Sequence, residues 1–355
     1  MYSHQLLKPD GRQLTLYSRL PIAENIIATS HCHQPVQTNP HLRWHPLRGE
    51  WVAYASQDQK YHPLRPTAEK PFSTELPPGK YDIAVFDQRF PPLTLFAQNP
   101  PECIVETVPA NGACEIVVFT QNEHASLSSL ELDHLDLLLQ VWGDRTRVLG
   151  ANQQIQYVLP FENQDLEVDA ALHQPYGQIY AYPFIPPVPA RMLEMQRRFY
   201  QEHHQSLLAD LIQKEIVAQE RIIYQDEDAI AFVPVCARYP YEVWIAPIQP
   251  VSHLFGLNLQ QRQGLAKALK TVTLKYHGLG NRPLPYSMAW FQAPTDGKAY
   301  PQVHLHAEFY PADQTTGSAL AGGMFTNDTL PEEKAKELQA VIVDIEINFS
   351  PHGAG

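Results

Sequence analysis

Three short patterns place chemistry-bearing side chains at strand spacing. In VHLHAEF, His304, His306 and Glu308 occupy alternate positions. On a strand, alternate residues point to one face, so two imidazoles and a carboxylate converge there. Such a set suits a divalent metal or acid–base chemistry; the plainer alternative is a row of exposed edge residues. In LHQPYGQIYAY, Gln174, Tyr176 and Gln178 alternate in the same way, offering hydrogen bonds but no strong nucleophile. Asn163, which closes PFEN, either reaches toward the same pocket or ends its strand in a turn.

The elements that must hold these residues are written twice. A first unit runs through the strand-like YDIAVF (Tyr81–Phe86), then CEIVVF from Cys114, and a leucine-rich helix from Ser126 to about Gly150. It closes with QYVLPFEN (Gln156–Asn163) and LHQPYGQIYAY (Leu172–Tyr182). A second unit repeats the order with DAIAFVPV (Asp228–Val235), YEVWIAPIQ from Tyr241, the helical QQRQGLAKALKTVTLKY, YSMAWFQAP (Tyr286–Pro294) and VHLHAEFYP (Val303–Pro311). A histidine, His124 or His253, follows the second strand of each. The alternation and the Pro, Gly and Asn boundaries predict antiparallel strands. The fold class is therefore α+β, with two halves, each a sheet packed by a helix, joined into one larger sheet. One long amphipathic helix is expected over Pro189–Glu220, and a C-terminal helix from near Pro331. Residues 1–65 read as an irregular arm with one short strand at GEWVAYA, residues 66–188 as the first half, and 189–355 as linker helix plus second half.

Composition bounds the function. Charged residues are 18% and hydrophobic ones 44% of the 355, the profile of a folded chain. A net charge of -12 without a basic run argues against a nucleic-acid polymer as partner. The four cysteines show no CxxC spacing, which favours reduced thiols over disulfides. No apolar run is long enough to span a membrane and the N-terminus lacks a signal-peptide core, so the expectation is a cytoplasmic protein.

RWHPLRGEWVAYAS, YDIAVFDQRFPPL, YVLPFEN, HQPYGQIYAYPF and HLHAEFYP, in this order, resemble galactose-1-phosphate uridylyltransferases of the histidine-triad superfamily. The resemblance runs from about residue 40 to NDTLPEEKA and implies two tandem histidine-triad-like halves. It implies a double displacement: a histidine of an HPHGQ motif attacks the α-phosphorus of UDP-glucose, glucose 1-phosphate leaves, and galactose 1-phosphate takes the uridylyl group. A covalent intermediate of this kind divides one hard step into two. It further implies a nucleotide sugar and a sugar phosphate as partners, and a homodimer.

Position by position, HPHGQ falls on Gln174-Pro175-Tyr176-Gly177-Gln178, so Tyr176 stands where the nucleophile would be. By the resemblance Tyr176 and Gln178 take the catalytic positions, and Asn163, Gln174, Gly177, Arg89 and Phe90 those that bind nucleotide and phosphate; DQRF (Asp87–Phe90) replaces the uridine-contacting block. His173 lies an odd number of residues away and would face the other side of a regular strand. Of a four-ligand zinc site implied for the first half, only His124 remains. Asp58, Lys60 and Arg65 stand near the positions of implied phosphate-gripping arginines, and the ADQTTGSALAGG stretch lacks an implied lysine. In the second half a divalent metal, zinc or iron, is implied at His304, His306 and Glu308, although Phe291 replaces a further histidine on the preceding strand.

Three functions follow: a nucleotidyltransferase on a nucleotide sugar and a sugar 1-phosphate with altered chemistry, a catalytically silent binder of the same ligands, or a repurposed enzyme working through His304, His306 and Glu308. A tyrosine with an ordinary pKa of about 10 is almost wholly protonated at pH 7. Tyr176 is thus either a replacement nucleophile in need of a base or a hydroxyl lining an inherited pocket, and the pocket is the expectation.

Overall fold

The computed structural model describes residues 1–30, 38–55, 72, 74–164, 174–311 and 322–344. An eleven-stranded sheet carries the molecule. Its strands are β1 (Tyr2–Leu7), β2 (Gln13–Ser18), β5 (Ile83–Asp87), β7 (Ala113–Val118), β8 (Tyr157–Gln164), β9 (Tyr176–Tyr182), β10 (Ile222–Gln225), β11 (Ala229–Phe232), β12 (Val243–Pro247), β13 (Tyr286–Phe291) and β14 (His306–Pro311). A second sheet holds β3 (His41–His45), β4 (Glu50–Tyr54) and β6 (Thr107–Pro109). The order across the large sheet is β1-β2-β5-β7-β9-β8-β13-β14-β12-β11-β10. Every neighbouring pair is antiparallel.

That order is the written repeat made visible. β5-β7-β9-β8 and β11-β12-β14-β13 are the two units, and they meet back to back where Tyr286–Ala289 pairs with Gln164–Phe161. The helices that follow the second strand of each unit, α1 (Leu132–Gly150) and α4 (Leu259–Gly278), pack on one another and on one face of the sheet. A single apolar core runs beneath both halves, from Ile83, Val117 and Ile179 to Met288, Ala307 and Ile245, with Trp142 and Trp290 in contact near its middle. Removing this apolar area from water, at about 25 cal/mol per Å², is what binds the halves together.

The opposite face is covered in pieces. Leu14, Leu16, Ala84, Phe86 and Val118 pack under Ile26, Ala28, Phe72 and Tyr81. The small sheet covers Tyr180, Tyr182 and Phe184 through Leu42, Trp51 and Val108. α3 (Leu207–Ala218) covers Ile230, Phe232 and Ala246 through Leu208 and Ile212. The last helix, α5 (Pro331–Ala340), packs on β10.

Two expectations change here. The first eighteen residues form β1 and β2 of the main sheet, not part of an irregular arm, because KPDGR closes a hairpin: Lys8 N donates to Arg12 O at 2.9 Å and Gly11 takes φ +84°. The single linker helix is instead α2 (Pro187–His203) followed by α3. His204 caps α2 in the left-handed region at φ 56°, and the Ser206 hydroxyl caps α3 by accepting from Ala209 N.

Candidate functional site

Alternation on β9 sends Tyr176, Gln178, Tyr180 and Tyr182 to the face away from α1, while Ile179 and Ala181 enter the core. Gln178 pairs across the sheet with Phe161, Phe161 with Ala289, and Ala289 with Glu308. The sites of the two halves therefore share one row of one sheet face, separated by three strand spacings, roughly 14 Å. One step along the strands, Asn163 pairs with Ser287 and Ser287 with Tyr310. Extending the β8–β9 register sets Asn163 opposite Tyr176. Asn163 is exposed and Gln178 buried, so their amides border a polar strip flanked by Ser287.

Tyr176 sits in apolar surroundings. Its ring meets Phe72 edge-on at 5.1 Å and packs against the Leu14, Phe86 and Val118 cluster. Burial alone raises its pKa above the ordinary phenol value, and no charge on the described residues pulls it back. A phenol so placed is a poorer nucleophile than a free one.

The remaining first-half residues separate into different roles. Gln174 is buried and its Nε2 donates to Thr120 O at 2.6 Å, tying the entry of β9 to the loop that bears the exposed His124. That bond anchors the amide nitrogen to the backbone. Gly177 faces the core: a Cβ there would lie 2.8 Å from Phe119 Cζ and 2.9 Å from Phe161 O. Its smallness serves close packing on the α1 side of the sheet. Arg89 and Phe90 follow β5 at the level of Ala181, since Asp87 pairs with Glu115 and Glu115 with Ile179. They lie some five residues, about 17 Å, along the strands from Tyr176. Asp58, Lys60, Arg65, His173 and the stretch expected to lack a lysine up to Ala321 fall outside the described residues.

The second-half group is a different kind of site. His304 precedes β14 and is fully buried; its Nε2 donates to Pro247 O at 2.8 Å, and burial pushes its pKa down to about 4. Its Nδ1 has no partner among the described residues. His306 lies between the rings of Trp244 and Phe291, with Nδ1 3.1 Å from His304 O and Nε2 3.3 Å from Glu308 Oε1. Glu308 is 1% exposed and also accepts from Arg238 Nη2 at 2.6 Å and from the Tyr310 hydroxyl at 2.7 Å. Burial would raise its pKa, but the hydrogen bond and charge of His306 and the charge of Arg238 hold it below the usual range.

Arg238 also binds the buried Glu242 at 2.9 Å, so one guanidinium is shared between two carboxylates. These residues do not fit a divalent metal. Both nitrogens of His306 are engaged, Phe291 stacks where a further donor would stand, and a cation would face Arg238 across Glu308. Among the described residues no cluster of three or more His, Cys, Asp or Glu is arranged to hold a metal ion. His304 and His306 line a cavity of about 10 Å³ beneath Pro189, Met192 and Gln196 of α2, room for about one water and closed to a sugar phosphate. Sequence reasoning missed Arg238, Tyr310 and Ser287. The last two were legible as outward positions of β14 and β13, whereas Arg238 lies in a loop with no pattern.

Comparisons with known proteins agree with this architecture. The family model described as galactose-1-phosphate uridyl transferase, N-terminal domain, matches residues 33–186, and the corresponding C-terminal domain model matches 192–340. A galactose-1-phosphate uridylyltransferase of Thermotoga maritima is 34% identical over 329 residues, covering 86% of this chain and 99% of that protein. One from Streptomyces lividans is 29% identical over 358 residues, covering 94% and 96%. A solved structure described as a uridylyltransferase superposes with a TM-score of 0.76 at 28% identity, covering 85% of this chain and 98% of the other. Among the described residues no helix is long and apolar enough to cross a membrane.

Proposed function

The chain belongs to the galactose-1-phosphate uridylyltransferase family, and from that premise we propose that it binds a nucleotide sugar and a sugar 1-phosphate on the face of β8 and β9 turned away from α1, with Tyr176 lining the site and forming no covalent intermediate. The observation that carries this reading is the environment of Tyr176: an aromatic edge contact, an apolar cluster and a pKa raised by burial. Attack on phosphorus needs the phenolate, and burial with no neighbouring cation or base among the described residues works against it. The amides of Asn163 and Gln178 suit the non-bridging oxygens of a phosphate, for which oriented neutral donors suffice. Arg89 and Phe90, which follow β5 farther along the strand direction, suit the nucleoside end of an extended ligand. The double displacement that the resemblance implies is silent at Tyr176. The reading needs no metal in the second half, where Arg238 takes up Glu308.

Two measurements test it. UDP-glucose and galactose 1-phosphate are expected to raise the melting temperature, since a ligand at a hundred times its Kd stabilises by about 2.7 kcal/mol. Incubation with UDP-glucose is expected to leave the intact mass unchanged. A uridylyl adduct that disappears in Tyr176→Phe would establish the tyrosine as nucleophile and refute the lining role. Failure of both ligands to bind would sink the proposal as a whole.

A further inference from the structure

The hairpin β1–β2 precedes residue 33, the first residue the family models match. Its turn closes through its own backbone, with Lys8 N to Arg12 O and Gly11 N to Lys8 O both at 2.9 Å, so it needs no charged side chains to form. Yet Lys8, Asp10 and Arg12 are turned inward. Lys8 is 2% exposed and donates from Nζ to Glu75 O at 2.6 Å, with Glu75 Oε2 at 2.9 Å. Arg12 binds Asp10 Oδ2 through Nε and Nη2 at 2.9 and 2.7 Å, and Glu75 Oε2 through Nη2 at 2.6 Å. Its Nη1 donates to the backbone carbonyl of Asp87 at 3.1 Å. Both cations stand over the ring of Phe86, at 5.0 and 5.7 Å.

Burying two cations is costly unless each is paired and hydrogen-bonded, and Asp10 and Glu75 supply that here. What the network grips is the end of β5. Asp87 is held through its carbonyl by Arg12 and through its carboxylate by Gln13 N at 2.8 Å. Gln88, Arg89 and Phe90 follow directly. Gln88 is 7% exposed, its N donates to Cys114 O at 2.8 Å, and its Oε1 has no partner among the described residues. A buried acceptor left open beside a candidate nucleoside site is where a ligand N–H would be received.

We propose that the N-terminal hairpin is a positioning element of the nucleotide site, in which Arg12, backed by Lys8, fixes the backbone of Asp87 and so aims Gln88, Arg89 and Phe90 at the nucleoside. This rests on the reading above that the Asp87–Phe90 block contacts a nucleotide. Arg12 and Lys8 touch no ligand themselves; they act through Asp87 and Phe86.

The full chain and its Arg12→Gln variant are titrated with UMP by calorimetry, and amide hydrogen exchange is followed at residues 88–90. The expected result is UMP affinity about tenfold weaker, the size of one lost charge-assisted hydrogen bond, together with faster exchange at those amides. If Arg12→Gln does not fold, Arg12→Lys is read in its place, because it keeps the charge while losing the planar fork that reaches Asp87. Wild-type affinity in the folded variant overturns the proposal. So does weaker binding with unchanged exchange at 88–90. Absence of UMP binding by the wild-type chain overturns the nucleotide reading itself, and the hairpin's role with it.

Discussion

Glu162, next to Asn163 on β8, points into the core where the two units join, opposite Met288. It is 4% exposed, and its one hydrogen bond among the described residues is from the Tyr286 hydroxyl, at 3.3 Å. Burial pushes its pKa up to about 8, and the Tyr286 bond offsets only part of that. The native state therefore keeps a proton on Glu162 at neutral pH, whereas the unfolded chain, near 4.5, does not. Between those values the folded state binds about one more proton, so its stability falls as pH rises, by about 1.4 kcal/mol per pH unit. From 4.5 to 7 this amounts to about 3 kcal/mol, an order-of-magnitude figure. Glu162→Gln keeps the shape and a hydrogen-bonding tip but cannot ionise. Urea unfolding of both proteins at pH 5, 6, 7 and 8 isolates the effect, because buried His134 and His304 titrate alike in both and cancel. The variant is expected to gain on wild type steadily from pH 5 to about 8 and then level off. Parallel profiles across that range would refute the reasoning.

Two further outcomes follow from particular contacts. Arg238→Met removes the guanidinium shared by buried Glu242 and Glu308, leaving Glu308 only His306, and is expected to cost about 3–5 kcal/mol in urea unfolding, with Glu308→Gln in the same chain restoring part of it. Gly177→Ala forces a methyl against Phe119 and a backbone carbonyl and is expected to cost about 1–3 kcal/mol; a wild-type melting temperature would show that β9 can shift at no cost.

Much of this arrangement was legible before any coordinates. The doubled order of strands and helices gave the two units, and alternation in HQPYGQ and VHLHAEF gave the face that each side chain takes. What stayed hidden was mostly non-local. That Tyr176 would meet Phe72, or that Arg238 would reach Glu308 seventy residues away, depends on loops whose path no periodicity encodes. The crowding of Phe119 against Gly177 was equally hidden, because nothing in the motif says which side chain meets the glycine. The hairpin was different: KPDGR between YSHQLL and QLTLYS is a local turn signal that the proline-rich surroundings obscured.

The junction of β8 with β13 has a consequence for how the molecule tolerates change. Each unit alone would end in an unpaired central strand, a row of open donors and acceptors that recruits other chains. In the joined sheet each unit is the other's edge cover, and the strands left outermost are β1, with its exposed and half-buried pattern, and the short β10 against α5. Selection on either half is thereby bound to the other. Side chains on the open face can drift as function changes, but the strand that meets the partner unit cannot drift alone. Position 176 lies on β9, away from the β8–β13 seam, so a substitution there leaves the joint between the units untouched.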